Sequence, residues 1–272
     1  MSKKLTRAPG PIRVLRRLKR RVFGGANPQQ RVDDPLDVAL GCTQHEAEIL
    51  RACLPFTMTS QERLLAVVDA VSYTIHSQID GAFVECGVWK GGSVLAMILR
   101  LQQLGVSDRD IYLFDTFEGM TPPTAKDVSR YDGEAMDHWQ ESVGRGQRPW
   151  QGLFDAEFFN EDLVREALLA TGYPPERLHF VKGRVEDTLP QAAPEHVAFL
   201  RLDTDWYEST RHELVHLWPR LRLHGVVIID DYGHWDGCAT AVDEYFSELG
   251  PAHAPLLSRI DYTGRLAVKR KP

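Results

Sequence analysis

The chain has 272 residues, a net charge of −6 and an apolar fraction of 43%. This length suits one large α/β domain with additions, and the negative charge argues against a nucleic-acid-binding protein, which normally carries a basic excess. A membrane-spanning helix needs about 18 consecutive apolar residues, and no apolar run in the sequence approaches that length. The basic N-terminal residues are not followed by the apolar stretch of a signal peptide. The four cysteines lack C-x-x-C spacing, so we expect reduced, partly buried thiols in a cytoplasmic protein.

The first 35 residues are predicted to be a basic tail and linker. Lys and Arg crowd positions 3–21, and apolar residues lie between them over 11–23. A short basic amphipathic helix there would dock on an anionic membrane surface or on a partner, whereas a solvated tail would do neither. Both interpretations stay open, and so does a homo-oligomer built through this segment.

The rest of the chain is predicted to form an N-terminal helical cap over 36–80 and a single domain over 81–272. In the cap, a helix near 43–50 is followed by a break and by a helix over 61–78, whose N-cap is Ser60. In the domain, strands are predicted at 82–86, 111–115, 178–181, 197–202 and 225–230, helices from 93 and over 156–171, 208–219 and 237–249, and a hairpin over 256–260 and 264–268. This alternation predicts an α/β, Rossmann-like fold, in which a mostly parallel sheet has helices on both faces and a C-terminal antiparallel hairpin.

A glycine-rich turn follows the first strand of this domain. The strand ends near Glu85, glycines stand at positions 87, 91 and 92, and an apolar helix begins at Ser93. Glycine lets a backbone approach a ligand closely, and such a strand–turn–helix is where α/β sheets hold nucleotide-like cofactors. The spacing is neither G-x-G-x-x-G nor G-x-x-x-x-G-K-[ST], so a dinucleotide is a weak candidate for the cofactor. S-adenosylmethionine fits better, because the carboxylate before the turn would lie near its positive amino group. Asp115, at the end of the next strand, is placed to accept hydrogen bonds from ribose hydroxyls.

Residues 116–154 are predicted to form a lid. The segment is rich in proline, glycine and polar residues, and a stretch this long with little regular structure is usually a lid, a binding loop or disorder. It follows Asp115 directly, so we favour a lid that orders with cofactor or substrate.

Four aspartates follow two neighbouring strands. Asp203 and Asp205 come after one strand and share a direction along an extended chain, while Asp230 and Asp231 end the next. In a parallel sheet both strand ends lie at the same edge as the glycine turn. Like charges raise each other's pKa, so converging carboxylates indicate a cation, and oxygen ligands favour Mg²⁺, Ca²⁺ or Mn²⁺ over zinc. Taken singly, each aspartate also fits a helix cap or an exposed loop.

Four segments of the sequence stand out together, and they are Glu85–Ser93, Phe114–Gly119, Leu202–Thr210 and Ile229–Trp235. These segments resemble the macrocin O-methyltransferase family, whose members methylate sugar hydroxyls on macrolide and aminocoumarin antibiotics with S-adenosylmethionine and Mg²⁺. The resemblance therefore implies an S-adenosylmethionine-dependent methyltransferase fold, an O-methyltransferase activity and a small-molecule glycosylated substrate.

The resemblance also implies roles for particular residues. Asp203, Asp230 and Asp231 would coordinate Mg²⁺, and Asp115 would bind the ribose. The residues implied for the methionine part of the cofactor are Glu85, Gly87, Lys90, Gly91, Gly92 and Ser93; those for the border of the adenine are Gly183 and Arg184; and those that would close over the cofactor are Thr59 and Ser60.

A sugar hydroxyl that loses its proton needs a base. Asp203 is the first candidate, Asp205 the second and His234 the third. An alternative acceptor is a cell-surface or lipid-linked glycan, which the basic tail would approach at the membrane surface. A non-enzymatic binding protein built on the same fold is a different class, and the retained acids speak against it.

Overall fold

The computed structural model describes residues 40–271, so the predicted basic tail over 1–35 lies outside the described residues. The helices of that part are α1 (Gln44–Cys53), α2 (Gln61–His76), α3 (Gly92–Gln103), α4 (Ala135–Gly144), α5 (Glu161–Leu169), α6 (Val185–Thr188), α7 (Tyr207–Leu217) and α8 (Asp236–Leu249). The strands are β1 (Ala82–Cys86), β2 (Ile111–Asp115), β3 (Val128–Ser129), β4 (Gly133–Glu134), β5 (Leu178–Lys182), β6 (Val197–Leu202), β7 (Leu221–Ile229), β8 (Ser258–Arg259) and β9 (Arg265–Val268). Short 3₁₀ turns lie at Leu54–Phe56, Pro175–Arg177 and Trp218–Arg220.

The two helices predicted for the N-terminal segment are both present. Thr43 begins α1 with a reciprocal capping box, in which its amide donates to Glu46 Oε2 at 2.7 Å. Ser60 begins α2, because its Oγ accepts a hydrogen bond from the Arg63 amide at 3.1 Å. Both helices pack into the same core as the sheet, and their separation as a cap domain stays a prediction.

The sheet order is β5-β2-β1-β6-β7-β9-β8. The strands from β5 to β7 are parallel, whereas β9 runs antiparallel to both β7 and β8. The predicted mostly parallel sheet with a C-terminal antiparallel hairpin is therefore confirmed. The chain winds outwards from β1 in one direction and from β6 in the other, so the point where the order reverses lies between β1 and β6. Ligands of open α/β sheets bind beside the carboxyl ends of such strands.

Two apolar cores lie on opposite faces of the sheet, because successive side chains of a strand point to opposite sides. In β7, Ile228 packs with α1, α2 and α3, whereas Val227 and Ile229 pack with α7 and α8. The central strands are buried along their whole length, as a parallel sheet covered on both faces requires.

The segment 116–154 has more regular structure than predicted. It contains the short hairpin of β3 and β4 and the ten-residue helix α4, so the expectation of little regular structure was wrong. The physical reason is local: its prolines and most of its glycines flank 135–143, where nothing interrupts a helix. Both ends are anchored, since Phe117 and Phe154 are buried.

Over the range 40–271, the structure contains no helix with both the length and the apolar character that crossing a bilayer requires. The four cysteines are buried, and Cys86 and Cys238 lie in the core that packs with α7 and α8.

Candidate active site

A cavity of about 500 Å³ opens at the carboxyl ends of β1, β2, β6 and β7. Its volume falls within the range of small-molecule and cofactor sites. The predicted site residues that line it are Thr59, Gly87, Gly92, Ser93, Asp115, Gly183, Arg184, Asp203, Asp205, Asp230, Asp231 and His234. The structure therefore brings twelve residues from distant parts of the sequence to a single cavity at the predicted edge of the sheet.

The glycine turn after β1 is shaped by close approach of other backbone segments. Gly87 has a φ of 81°, and a Cβ placed there would lie 1.8 Å from the backbone oxygen of Asp203. A Cβ on Gly92 would lie 2.6 Å from the backbone oxygen of Phe56. Both positions therefore require glycine, because no larger side chain fits between the turn and its neighbours.

Asp115 holds the same turn from the end of β2. Its Oδ2 accepts hydrogen bonds from the amides of Val88 and Trp89 at 2.6 and 2.9 Å, and its Oδ1 accepts one from Phe117 at 2.6 Å. Burial raises the pKa of Asp115, and these amide donors oppose the shift. Asp115 lines the cavity as predicted, but it also has a structural role that the sequence did not indicate.

Four residues predicted to bind the cofactor do not line the cavity: Ser60, Glu85, Lys90 and Gly91. Ser60 caps α2 and donates to Asp261 Oδ2 at 2.7 Å. Lys90 Nζ lies 4.5 Å from the ring centroid of Trp89, and Gly91 has a φ of 83° at the start of α3. These residues do not line the cavity, and their contact with the cofactor stays a prediction.

Glu85 is the fourth, and it lies fully buried beneath the cavity. Its Oε1 accepts a hydrogen bond from Arg201 Nη1 at 2.5 Å. Burial raises the pKa of Glu85 to about 8, and Arg201 opposes that shift. Glu85 is thus linked to the aspartates through Arg201, and its contact with the cofactor stays a prediction.

The predicted convergence of aspartates is present. One carboxylate oxygen from each of Asp203, Asp230 and Asp231 lies within 4.8 Å of the others. Asp205 lies beside them with a φ of 66°. Burial, and then the charge of Asp205, raises the pKa of Asp231, and burial likewise raises the pKa of Asp205. The sheet edge therefore concentrates negative charge in a buried place.

Two arginines lie under this cluster, and the sequence analysis missed both. Arg201 Nη1 donates to Asp203 Oδ2 at 2.6 Å and its Nη2 to Asp230 Oδ1 at 2.5 Å. Arg63, from α2, pairs with Asp230 and with Asp261, the latter at 3.0 Å. Arg201 had a local signal, since it is a charged residue within the apolar run of β6; Arg63 had none.

The residues present fit a hard divalent cation. Asp231 Oδ2 is buried and has no hydrogen-bond partner among the described residues, which leaves a carboxylate oxygen free for a ligand. The neighbouring donors are carboxylate oxygens, the set that Mg²⁺ prefers. Arg201 and Arg63 pair with Glu85, Asp203 and Asp230, whereas neither arginine forms an ion pair with Asp205 or Asp231. A cation would therefore favour the ionised form of these two carboxyls, whose pKa values burial raises.

His234 lies in the turn that follows Asp231, and its amide donates a hydrogen bond to the backbone oxygen of Asp231 at 3.0 Å. Its ring nitrogens contact Asp132 Oδ2 at 2.7 Å and the Tyr262 hydroxyl at 3.0 Å. The imidazole is thus oriented on both sides, and Asp132 brings the segment 116–154 into the site.

Tryptophans form another part of the wall, and the sequence analysis did not single them out as a group. The rings of Trp150 and Trp206 lie 5.7 Å apart, and those of Trp206 and Trp235 lie 5.0 Å apart. Trp206 Nε1 also donates to the backbone oxygen of Thr121 at 2.9 Å. These contacts give the cavity an apolar side and hold 116–154 against it.

The fold and the site together define an S-adenosylmethionine-dependent O-methyltransferase. The solved structure of the O-methyltransferase NovP is similar to this chain, with a TM-score of 0.65 and 30% identity over 79% of this chain and 83% of that one. The chain belongs to the macrocin-O-methyltransferase (TylF) family, whose profile matches residues 43–269.

Two curated relatives are similar to this chain in sequence. Demethyldecarbamoylnovobiocin O-methyltransferase of Streptomyces niveus is 33% identical over 70% of this chain and 67% of its own length. An 8-demethyl-8-(2,3-dimethoxy-alpha-L-rhamnosyl)-tetracenomycin-C 4'-O-methyltransferase of Streptomyces olivaceus is 35% identical over 76% of this chain and 73% of its own length.

Proposed function

We propose that this enzyme transfers a methyl group from S-adenosylmethionine to a sugar hydroxyl of a glycosylated natural product, with help from Mg²⁺. The observation that carries the proposal is the convergence of Asp203, Asp230 and Asp231 beside the glycine turn. The names of the relatives and of the family refer to novobiocin, a rhamnosyl-tetracenomycin and macrocin, so the proposed substrate class is a macrolide or aminocoumarin type of glycoside.

S-adenosylmethionine supplies the methyl group, and the turn after β1 is its proposed seat. Gly87 and Gly92 let the turn pack against the backbone of Asp203 and Phe56, and both line the cavity together with Ser93 at the start of α3. Asp115 is proposed for the ribose. Gly183 and Arg184 are proposed for the border of the adenine, and Thr59 is proposed to close over the cofactor. All three residues line the same cavity.

Mg²⁺ held by Asp203, Asp230 and Asp231 would lower the pKa of the acceptor hydroxyl. Arg201 pairs with both Asp203 and Asp230, and its positive charge offsets the repulsion between these two carboxylates. The carboxylates are therefore already arranged before a ligand binds, which lowers the cost of organising the site.

Asp203 is the proposed base. Its side chain is 27% exposed, whereas that of Asp230 is 3% exposed, so Asp203 is the more accessible to an acceptor in the cavity. Asp205 and His234 remain the second and third candidates, since both line the cavity. The protein's own task is to hold the acceptor oxygen in line with the methyl group and to take its proton.

The first experiment tests the metal and the base. Asp203→Asn and Asp231→Asn are expected to lower turnover about 10²-fold or more while leaving S-adenosylhomocysteine affinity unchanged, because a general base and a metal ligand act on the acceptor rather than on cofactor binding. Turnover is measured with the acceptors named above, and affinity by calorimetry. Asp108→Asn, an exposed aspartate at the opposite edge of the sheet, is the control. Full activity in EDTA would contradict a role for the metal.

The alternative acceptor is a cell-surface or lipid-linked glycan at the membrane, favoured by the basic residues at positions 3–21. Pelleting with anionic liposomes should then require residues 1–30. Equal pelleting of the full chain and of a chain without residues 1–30 would argue against this alternative.

A further inference from the structure

Three separate segments meet at one side of the cavity. Tyr131 and Asp132 lie at the turn of the β3–β4 hairpin, His234 follows β7, and Tyr262 lies between β8 and β9. The ring of Tyr131 stacks on His234 with centroids 5.3 Å apart and meets the edge of Tyr262 at 5.2 Å. We call these four residues the hairpin cluster.

The hairpin cluster is held next to the aspartates by its own backbone. Thr263 Oγ1 donates to the backbone oxygen of Asp230 at 2.8 Å, which ties the Tyr262 loop to the end of β7. At the base of the hairpin, buried Asp127 accepts from the Tyr207 amide at 2.8 Å, and a Cβ on Gly237 would strike its Oδ1. The hairpin is therefore fixed at its foot, and its tip reaches the edge of the acidic cluster.

Three of these side chains are largely exposed, so packing of the apolar core does not explain why they lie together. Tyr131 and Tyr262 are 53% and 52% exposed, and the Asp132 side chain is 61% exposed. Asp132, His234 and Tyr262 nevertheless line the cavity. Aromatic faces together with a few placed polar groups are the usual lining of a ligand site.

The cluster lies at the end of the cavity away from the proposed adenine border. Gly183 and Arg184 follow β5, whereas His234 follows β7, and the sheet order places β2, β1 and β6 between those strands. Four steps between neighbouring strands span about 19 Å. A cofactor seated at the glycine turn with its adenine towards β5 thus leaves the hairpin cluster to the acceptor.

The chemistry of the cluster matches a pyranose ring. A sugar offers C–H faces to aromatic rings and hydroxyls to polar side chains. Tyr262 supplies a ring that lines the cavity, and Tyr131 packs against that ring and against the His234 imidazole. Asp132 supplies an accepting carboxylate that His234 holds in place.

We propose that Tyr131, Asp132, His234 and Tyr262 form the acceptor-sugar subsite, in which Asp132 accepts hydrogen bonds from hydroxyls next to the one that is methylated and His234 holds Asp132 and Tyr262 in place. This inference rests on the proposed function, which it extends by naming the residues that select a sugar. Asp132 and Tyr262 are specificity residues, because they bind the acceptor without taking its proton, and Tyr131 is a positioning residue behind them.

The test uses methyl α-L-rhamnopyranoside, titrated against the full-length protein with S-adenosylhomocysteine and Mg²⁺ and followed by saturation-transfer difference NMR. Tyr131→Ala and Asp132→Asn are expected to weaken rhamnoside binding at least tenfold. Tyr73→Ala, a partly exposed tyrosine on α2, is the matched control and should bind as the wild type does. The affinity for S-adenosylhomocysteine should stay within twofold in all variants.

Absence of rhamnoside binding to the wild type would overturn the subsite, and so would equal binding by the variants or a parallel loss of S-adenosylhomocysteine affinity. The proposed function is judged separately by methyl transfer to the named glycosides. Rhamnoside binding that depends on Tyr131 and Asp132 without any methyl transfer would support the subsite and contradict the proposed function.

Discussion

Arg201 lies at the centre of the buried charges. Its guanidinium bonds Glu85, Asp203 and Asp230 and is almost wholly buried. Removing one partner of a buried ion pair leaves uncompensated charge, so Arg201→Met should lower the free energy of unfolding by about 3–5 kcal/mol. Urea unfolding measures the change.

The control for that substitution is Arg222→Met. Arg222 also bonds a carboxylate, that of Asp80, but both side chains are substantially exposed, at 38% and 67%. Exposed pairs contribute about 0–1 kcal/mol, so the control should lose little stability. Equal losses in the two variants would mean that Arg201 does not neutralise the cluster.

Glu213 is a buried carboxyl beneath the loop that carries the aspartates, and its Oε1 accepts from Thr204 Oγ1 at 2.9 Å. Burial raises its pKa well above the usual 4.5. The folded protein then keeps the proton while the unfolded chain loses it above pH 4.5. This group's contribution to stability is therefore full below pH 4.5 and falls as pH rises, by up to about 1.4 kcal/mol per unit.

Glu213→Gln removes that titration, so the stability of the variant relative to the wild type should rise as the pH increases above 4.5. Urea unfolding at each pH gives the difference. Glu208→Gln, on the exposed side of the same helix, should run parallel to the wild type. A pH-independent difference for Glu213→Gln would show that Glu213 is ionised in the folded protein.

The residues of the site differ in how far the sequence could predict them. Asp203, Asp230 and Asp231 follow apolar strands directly, so a parallel sheet was enough to bring them together. The pairing of Arg63 with Asp230 joins positions 167 residues apart, and no spacing rule links them. Tyr262 was missed for the same reason, since its contact with His234 depends on how the C-terminal hairpin packs.

The turn between β1 and α3 depends on the absence of a side chain at Gly87. Its positive φ alone would cost an alanine about 1–2 kcal/mol, and the approach of Asp203 adds a clash, so Gly87→Ala should lower the free energy of unfolding by roughly 2–5 kcal/mol. Because the turn is the proposed cofactor seat, affinity for S-adenosylhomocysteine should fall as well. Urea unfolding and calorimetry measure the two effects.

Gly105 provides the comparison, since its φ is 72° and no atom lies within 4 Å of a Cβ built there. Gly105→Ala should therefore show the backbone cost alone and keep full cofactor affinity. If Gly87→Ala behaved like Gly105→Ala, close packing against Asp203 would not be what fixes the turn.

At the scale of elements, buried strands were the easiest to predict. Strands β1, β2 and β6 have the predicted bounds, because apolar runs of this length between turn residues have few other solutions in an α/β chain. Helix α4 was missed: it is mostly exposed and its stability depends on contacts such as that of Trp139 with Trp150. Its neighbours decide its structure, and neighbours are not visible in a single sequence.

Across the whole molecule, the two ends of the described chain meet at the site. Arg63 of α2 bonds Asp261 in the C-terminal hairpin as well as Asp230 at the end of β7. A Cβ on Gly264 would lie 2.9 Å from the Arg63 side chain, so the hairpin packs directly on it. The cavity is therefore closed by elements from both ends around a central sheet, with 116–154 as the remaining wall.

That wall is the part expected to move, as the lid prediction requires. Apart from buried anchors such as Phe117, Asp127 and Phe154, most of its residues are exposed or half-buried, whereas β6 is buried throughout. Local opening is easiest where buried contacts are few, so amides of 116–154 should exchange with solvent faster than those of β6.

S-adenosylhomocysteine with Mg²⁺ should slow exchange in 116–154 about tenfold or more, because a ligand that binds the closed form opposes opening. Hydrogen-exchange mass spectrometry measures this, with the exposed turn at 250–257, which does not line the cavity, as the internal control. Equal protection of 116–154 and of 250–257 on ligand addition would show that the segment is a fixed wall and not a lid.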